Sequence, residues 1–234
     1  MRFIDSINGL NQIFDSDIPK KSVVMITGGE GTVKSGFAYS LMSNYLEQSG
    51  EFGLYITLEQ NKQSHIENMK SMGVKSSKNL MISDISDYRI DYSDEKLDII
   101  DFIAKTIEMY KKRYGDKFTT ITLDSLGAMY SLMYTAPHEL RRKIYQLFEY
   151  IRREGITSFI ILEKYNDAGE NVQTTGMEGY IADGLIELGM KLNQNDALRY
   201  LRVRKMRATK HSMRLHIFRI GNNGIEIIEG HIFD

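Results

Sequence analysis

Cysteine and tryptophan are absent from this 234-residue chain, and proline occurs only twice. Without thiols, neither a disulfide framework nor a thiolate-bound metal is available, and the five histidines are too scattered along the sequence to suggest a metal cluster. No apolar run approaches the roughly 20 residues needed to cross a bilayer. Arg2 and Asp5 sit where a secretory leader would begin, and no apolar stretch follows them. A cytoplasmic protein without a membrane partner is the expectation. Neither sign of charge dominates: 30 Lys and Arg stand against 31 Asp and Glu, so the whole molecule gives no electrostatic case for nucleic acid. Such a case must rest on a local patch. The length suits one large α/β domain over residues 1–234, with no room for two.

What the chain does contain is an alternation of strand and helix patterns through its first two thirds, the signature of a mostly parallel sheet flanked by helices. Strands are expected at Val23 to Thr27, Leu54 to Leu58, Leu80 to Ser83, Phe118 to Leu123 and Ile156 to Leu162. Helices are expected at Gly36 to Glu47, Lys62 to Met72, Asp94 to Tyr114 and Pro137 to Glu154, the last two from apolar residues at helical spacing. The final third changes character. Four short strands, Gly184 to Met190, Leu198 to Met206, Leu215 to Ile220 and Ile225 to Ile228, suggest an antiparallel extension, preceded by a mobile loop at Asn166 to Gly179.

The most informative segment is VVMITGGEGTVKS, Val23 to Ser35, a β-branched strand that breaks into glycines and ends in Lys-Ser. It fits the phosphate-loop pattern GxxxxGK[ST] from Gly28 through Gly29, Glu30, Gly31 and Thr32 to Lys34 and Ser35, except that Val33 stands where the second glycine belongs. Such a loop converges backbone N–H groups on an anion at the start of a helix, here near Ser35 and Gly36. Lysine then neutralises the outer phosphates of ATP and the hydroxyl binds Mg²⁺. The position of Val33 is expected to be left-handed, at a cost of roughly 1–3 kcal/mol for a β-branched residue. The bland alternative is a glycine-rich turn with a chance lysine.

A nucleotide hydrolase also needs a carboxylate near Mg²⁺, a group that orients water, and a cation where charge builds up. Asp124 ends the strand FTTITLD and is the candidate Mg²⁺ carboxylate, unless it merely caps the next turn. Glu59, ending LYITLE, would emerge at the same carboxyl edge of a parallel sheet and suits a general base; simple solvation is the other reading. Lys205 and Arg207 are expected on one strand face, about 7 Å apart, where two cations could clamp a phosphate. They lie within Arg199 to Arg219, which holds eight Lys or Arg and no acid: a basic surface, or a solvated edge that discourages aggregation.

The order of these pieces resembles the KaiC-like branch of the RecA-type ATPases over nearly the whole chain. SINGLNQIFDSDIPKKSVVMITGGEGTVKS is similar to the family's entry segment and phosphate loop, GLYITLEQ to a strand that in the family ends in two glutamates, and ITLDS to its Walker B strand. KMRATKHSM resembles the family's KxRxTxH segment, the most specific of these matches. The resemblance implies a RecA-like P-loop core, with Glu163 sensing the γ-phosphate and Lys205 and Arg207 reaching a neighbouring subunit's nucleotide, Thr209 and His211 beside it. That arrangement implies a homo-oligomeric ring, commonly a hexamer, with slow ATP hydrolysis and a regulatory output. Two residues depart from the pattern: Val33 in the loop, and Gln60 in place of the second glutamate. Two alternatives stay open: a nucleotide-impaired scaffold that recruits a protein partner, and a recombinase-like accessory protein that binds single-stranded DNA through the basic stretch.

Overall fold

The computed structural model describes residues 1–84, 98–133, 137–163, 178–193, 196–222 and 224–231. Its centre is a nine-stranded sheet in the order β3-β2-β4-β5-β1-β6-β7-β8-β9. The strands are β1 (Val23–Gly28), β2 (Phe52–Thr57), β3 (Leu80–Asp84), β4 (Phe118–Asp124), β5 (Thr157–Glu163), β6 (Gly184–Asn193), β7 (Asp196–Met206), β8 (His216–Gly221) and β9 (Gly224–His231). The helices are α1 (Lys34–Ser49), α2 (Lys62–Ser71), α3 (Ile99–Tyr114), α4 (Leu126–Leu132), α5 (Pro137–Arg153) and the single turn α6 (Glu178–Ile181). Strands β3 to β6 in the spatial order pair in parallel, and β6 to β9 pair antiparallel.

Period-two alternation on doubly buried strands divides the core between the two faces of the sheet. On β1, Val24 and Ile26 join Phe37, Leu41, Tyr55 and the N-terminal residues Phe3, Ile4 and Leu10 around α1. Val23 and Met25 face the other way, onto Phe102, Ile103 and Ile107 of α3 and Ile144, Leu147 and Ile151 of α5. The N-terminal segment is tied down by Phe3, whose ring stacks on Tyr45 at 3.9 Å and meets Phe159 edge-on at 5.5 Å.

Several boundaries differ from the sequence reading. Helix α3 starts at Ile99 rather than Asp94, because Asp98 is extended and its side chain accepts from the Ile100 N–H as an N-cap; residues 94–97 lie outside the described part. Helix α1 begins two residues early, at Lys34, and ends at a left-handed Gly50. Strand β2 begins two residues before Leu54 and stops at Thr57. Most of the expected Asn166 to Gly179 loop lies outside the described residues, but Glu178 and Gly179 open α6. Strand β6 has two roles, pairing in parallel with β1 and antiparallel with β7, so the antiparallel extension starts one strand later than its sequence suggests.

Candidate nucleotide site

Strand β1 delivers the chain to the carboxyl edge of the sheet, and the turn Gly29 to Val33 returns it into α1. Gly28 has no room for a side chain: a Cβ there would lie 2.2 Å from the Leu188 carbonyl oxygen and 2.7 Å from Thr32 Oγ1. Gly31 is left-handed at φ 72°, and so is Val33, at φ 66° and ψ 35°. The loop therefore keeps the conformation its pattern demands despite the β-branched residue. Part of the offset is visible in the packing. Val33 is half-buried against the core cluster, and the Cβ that Gly36 lacks would sit 2.7 Å from Val33 Cγ1. The isopropyl group occupies space that only a glycine at position 36 leaves open. Accordingly, Gly36→Ala should destabilise the protein by about 1–3 kcal/mol through overpacking, and the penalty should fall but not vanish in a Val33→Gly background, since Met72 Cε and Sδ would still lie 2.9 and 3.1 Å from the added Cβ; additive denaturation free energies would contradict this coupling.

Two side chains close the loop on itself. Thr32 Oγ1 donates to the Gly29 carbonyl at 2.8 Å, and Lys34 Nζ donates to the same oxygen at 2.9 Å. Lys34 is 8% exposed, so its ammonium is held under the turn rather than in bulk water.

Three carboxylates gather at this edge. Asp124 ends β4 opposite Thr57 of β2, and the peptide to Ser125 is cis. Burial pushes the Asp124 carboxyl up to about 6, against the lowering effect of hydrogen bonds from Tyr55 and Ser35. Glu59, just past β2, is exposed and accepts from Ser125 Oγ, which also caps α4 by accepting from the Ala128 N–H at 3.1 Å. Glu163 ends β5 directly opposite Gly28. Gln60 is turned away from this group: its Oε1 accepts from Asn68 Nδ2 at 2.9 Å, on α2.

Lys205 and Arg207 do not join that edge. Lys205 is on β7 beside Leu185, and Arg207 lies past the strand end rather than on it. Lys205 Nζ donates to the carbonyls of Gly179, Tyr180 and Ala182 at 3.1, 3.2 and 2.6 Å, while Arg207 pairs with Asp183 at 2.9 Å. Asp183 also accepts from the Val23 N–H, which places the pair at the amino end of β1. The length of a six-residue strand, about 17 Å, separates it from the loop. Thr209 and His211 follow on the same side: Thr209 Oγ1 donates to the Asp17 carbonyl at 3.0 Å, and His211 bridges to Phe14. Three of the eight cations of the basic stretch are paired with acids, Arg204 with Glu187, Arg207 with Asp183 and Arg219 with Glu226. Arg199 instead reaches the phosphate turn, donating to the Gly31 carbonyl at 3.2 Å.

Tyr55, Ser125 and Arg199 are site residues that sequence reasoning missed. Tyr55 donates to Asp124 Oδ2 at 2.6 Å from full burial. Its ring lies 4.5 Å from that of His65, a buried imidazole whose Nε2 has no hydrogen-bond partner among the described residues. Burial lowers His65 to about 4, from 6.5. The unfolded chain takes up that proton as pH falls through 6.5, the folded protein only near 4, so the histidine's contribution is intact above pH 6.5 and is lost on acidification. Between pH 7.5 and 4.5, His65→Phe should gain about 2 kcal/mol relative to the wild type, other titrating groups being common to both. A constant difference in denaturation free energy would show that the imidazole protonates freely in the folded state.

The donor set suits a nucleoside triphosphate with a hard divalent cation. Hydroxyl and carboxylate oxygens from Ser35 and Asp124 stand beside a glycine-lined turn in which Gly28 has no room for a side chain, and Mg²⁺ binds through few protein oxygens plus phosphates. A family model described as "ATPase: KaiC" matches residues 5–232. A UPF0273 protein of Thermotoga maritima is 29% identical, over 94% of this chain and 93% of its own length. The circadian clock oscillator protein KaiC of Thermostichus vulcanus is 28% identical over 94% of this chain, which spans only 43% of that longer protein. Among solved structures, a KaiC-like protein from the hyperthermophilic archaeon Pyrococcus horikoshii superposes with a TM-score of 0.78 at 25% identity, over 95% of this chain and 96% of its own.

Proposed function

The chain belongs to the KaiC ATPase family, and on that premise we propose that this P-loop ATP-binding protein hydrolyses Mg-ATP slowly at sites shared between copies in a homo-oligomeric ring. Lys34 and the amides of Gly29 to Val33 hold the phosphates, Ser35 and Asp124 hold the cation, Glu59 orients the attacking water, and Glu163 faces the terminal phosphate. When bound, Mg²⁺ would neutralise charge on the phosphate oxygens. The reading of each subunit as a single domain over 1–234 belongs to this proposal, as does a regulatory output through an unidentified protein partner in the cytoplasm.

The observation that carries the shared site is the separation of its parts. Loop and carboxylates occupy the carboxyl edge of the sheet, whereas Lys205 and Arg207 occupy the amino edge. One copy cannot bring them together, but a head-to-tail neighbour can, and heterologous contacts of that kind close into rings. The test is complementation. Lys34→Ala and the double variant Lys205→Ala/Arg207→Ala should each be inactive alone, while an equal mixture recovers about a quarter of wild-type phosphate release, the fraction of intact interfaces on random assembly. A mixture as inactive as its components would overturn the shared site.

The scaffold reading draws on Val33 and Gln60, yet Val33 is already in the left-handed conformation and Gln60 is engaged with α2. The DNA-binding reading is weakened by the ion pairs that occupy Arg204, Arg207 and Arg219.

A further inference from the structure

Burying a phenol hydroxyl is unfavourable unless it finds a partner, and phenylalanine would fill the same space without that requirement. Tyr55 is fully buried on β2, and its hydroxyl donates to Asp124 Oδ2 at 2.6 Å, with the Ser35 carbonyl oxygen nearby at 3.5 Å. Those are the two residues to which the cation is assigned, one at the end of β4 and the other in the first turn of α1. Behind the hydroxyl, the ring packs in a three-ring cluster with His65, at 4.5 Å, and Tyr39, at 5.6 Å, which themselves lie 5.3 Å apart.

A carboxylate torsion is broad and two-fold, so an aspartate without such a contact samples many orientations. Tyr55 removes that freedom. With Oδ2 held by the phenol, the carboxylate is fixed at the start of α1, where the Ser35 side chain also hydrogen-bonds Asp124. Preorganisation of this kind favours metal affinity because the oxygen does not have to be ordered during binding.

We propose that Tyr55 is the positioning residue of the cation half of the nucleotide site, orienting Asp124 relative to Ser35 so that a nucleoside phosphate is bound with Mg²⁺ rather than without it. The proposal rests on the nucleotide reading given above and adds a residue to it. It predicts a specific division of effects. Phosphate contacts through Lys34 and the loop amides do not involve Tyr55, so affinity for metal-free nucleotide is independent of the hydroxyl, whereas the cation's contribution depends on it.

The experiment is calorimetric titration of ADP at pH 8 into wild type, Tyr55→Phe and Tyr39→Phe, first in EDTA and then across a range of Mg²⁺ concentrations, with thermal denaturation of each protein as a check on folding. Tyr39 serves as the control because its hydroxyl bonds Ser76 instead, at 2.5 Å. The expected result is an ADP affinity in EDTA unchanged within about twofold for all three proteins, and a Mg²⁺ midpoint raised about tenfold in Tyr55→Phe alone. An unchanged midpoint in Tyr55→Phe would overturn the proposal. So would a parallel loss of affinity with and without Mg²⁺, or the same shift in Tyr39→Phe, since each would mark a merely structural tyrosine. Failure of the wild type to bind ADP under any condition would instead remove the nucleotide reading, and the Tyr55 role with it.

Discussion

Replacing Lys34 with alanine should lower the affinity for Mg-ATP by at least about a hundredfold, equivalent to about 2.7 kcal/mol. The side chain lies under the turn, 8% exposed, with its ammonium on the Gly29 carbonyl at 2.9 Å. A charged donor in such a water-poor position contributes far more to a phosphate than a surface lysine does, because a hydrogen bond to a charged group carries about 1.5–3 kcal/mol and the low local dielectric adds Coulomb attraction. The fold does not depend on that ammonium, since its hydrogen-bond partner among the described residues is a carbonyl of the loop itself. Thermal denaturation of the ligand-free variant should therefore stay within a few degrees of the wild type. An affinity within threefold of wild type would show that the loop does not hold phosphate.

Glu59→Gln should leave nucleotide affinity nearly unchanged and reduce the hydrolysis rate at saturating ATP by about 10²–10³-fold, the range expected when a positioned base is removed. Glu59 is exposed at the carboxyl edge, where water can reach it, and it is steadied by the Ser125 hydroxyl. Glutamine can accept the same hydrogen bond, so the substitution removes basicity while preserving geometry. The contrast with Lys34→Ala is diagnostic: one variant loses binding, the other loses turnover. Single-turnover phosphate release on protein saturated with ATP makes the measurement. A Glu59→Gln rate equal to wild type would shift the role to Glu163, the next carboxylate along the same edge.

Strand β1 and the loop were legible because a continuous apolar run ending in glycines has few other uses, and the left-handed state of Val33 followed from its place in the pattern. What escaped the sequence depended on partners distant along the chain. Tyr55 and Asp124 are 69 residues apart, and only the register that sets Thr57 against Asp124 brings them together. Helix α4 is seven residues long, too short to show an apolar stripe, and its start is set by the Ser125 cap. For α3, Asp94 and Asp98 are both good cap residues, and helical periodicity could not choose between them. The two-sided pairing of β6 was hidden for a similar reason, since apolar alternation says which face is buried but not which strand lies alongside. The edge occupied by Lys205 and Arg207 emerged only when β7 was seen to run back from the loop towards Asp183.

The claim on which the account depends is that the turn accommodates valine at a glycine position and still wraps a nucleotide's phosphates. Isothermal titration of Mg-ATP into the Glu59→Gln protein, beside the same protein carrying Val33→Gly, measures this without turnover. The account predicts saturable binding of one nucleotide per chain, with the two affinities within about threefold, because the turn already holds Val33 in the left-handed conformation, at φ 66°. No heat at millimolar nucleotide, with binding restored only by the glycine, would contradict it.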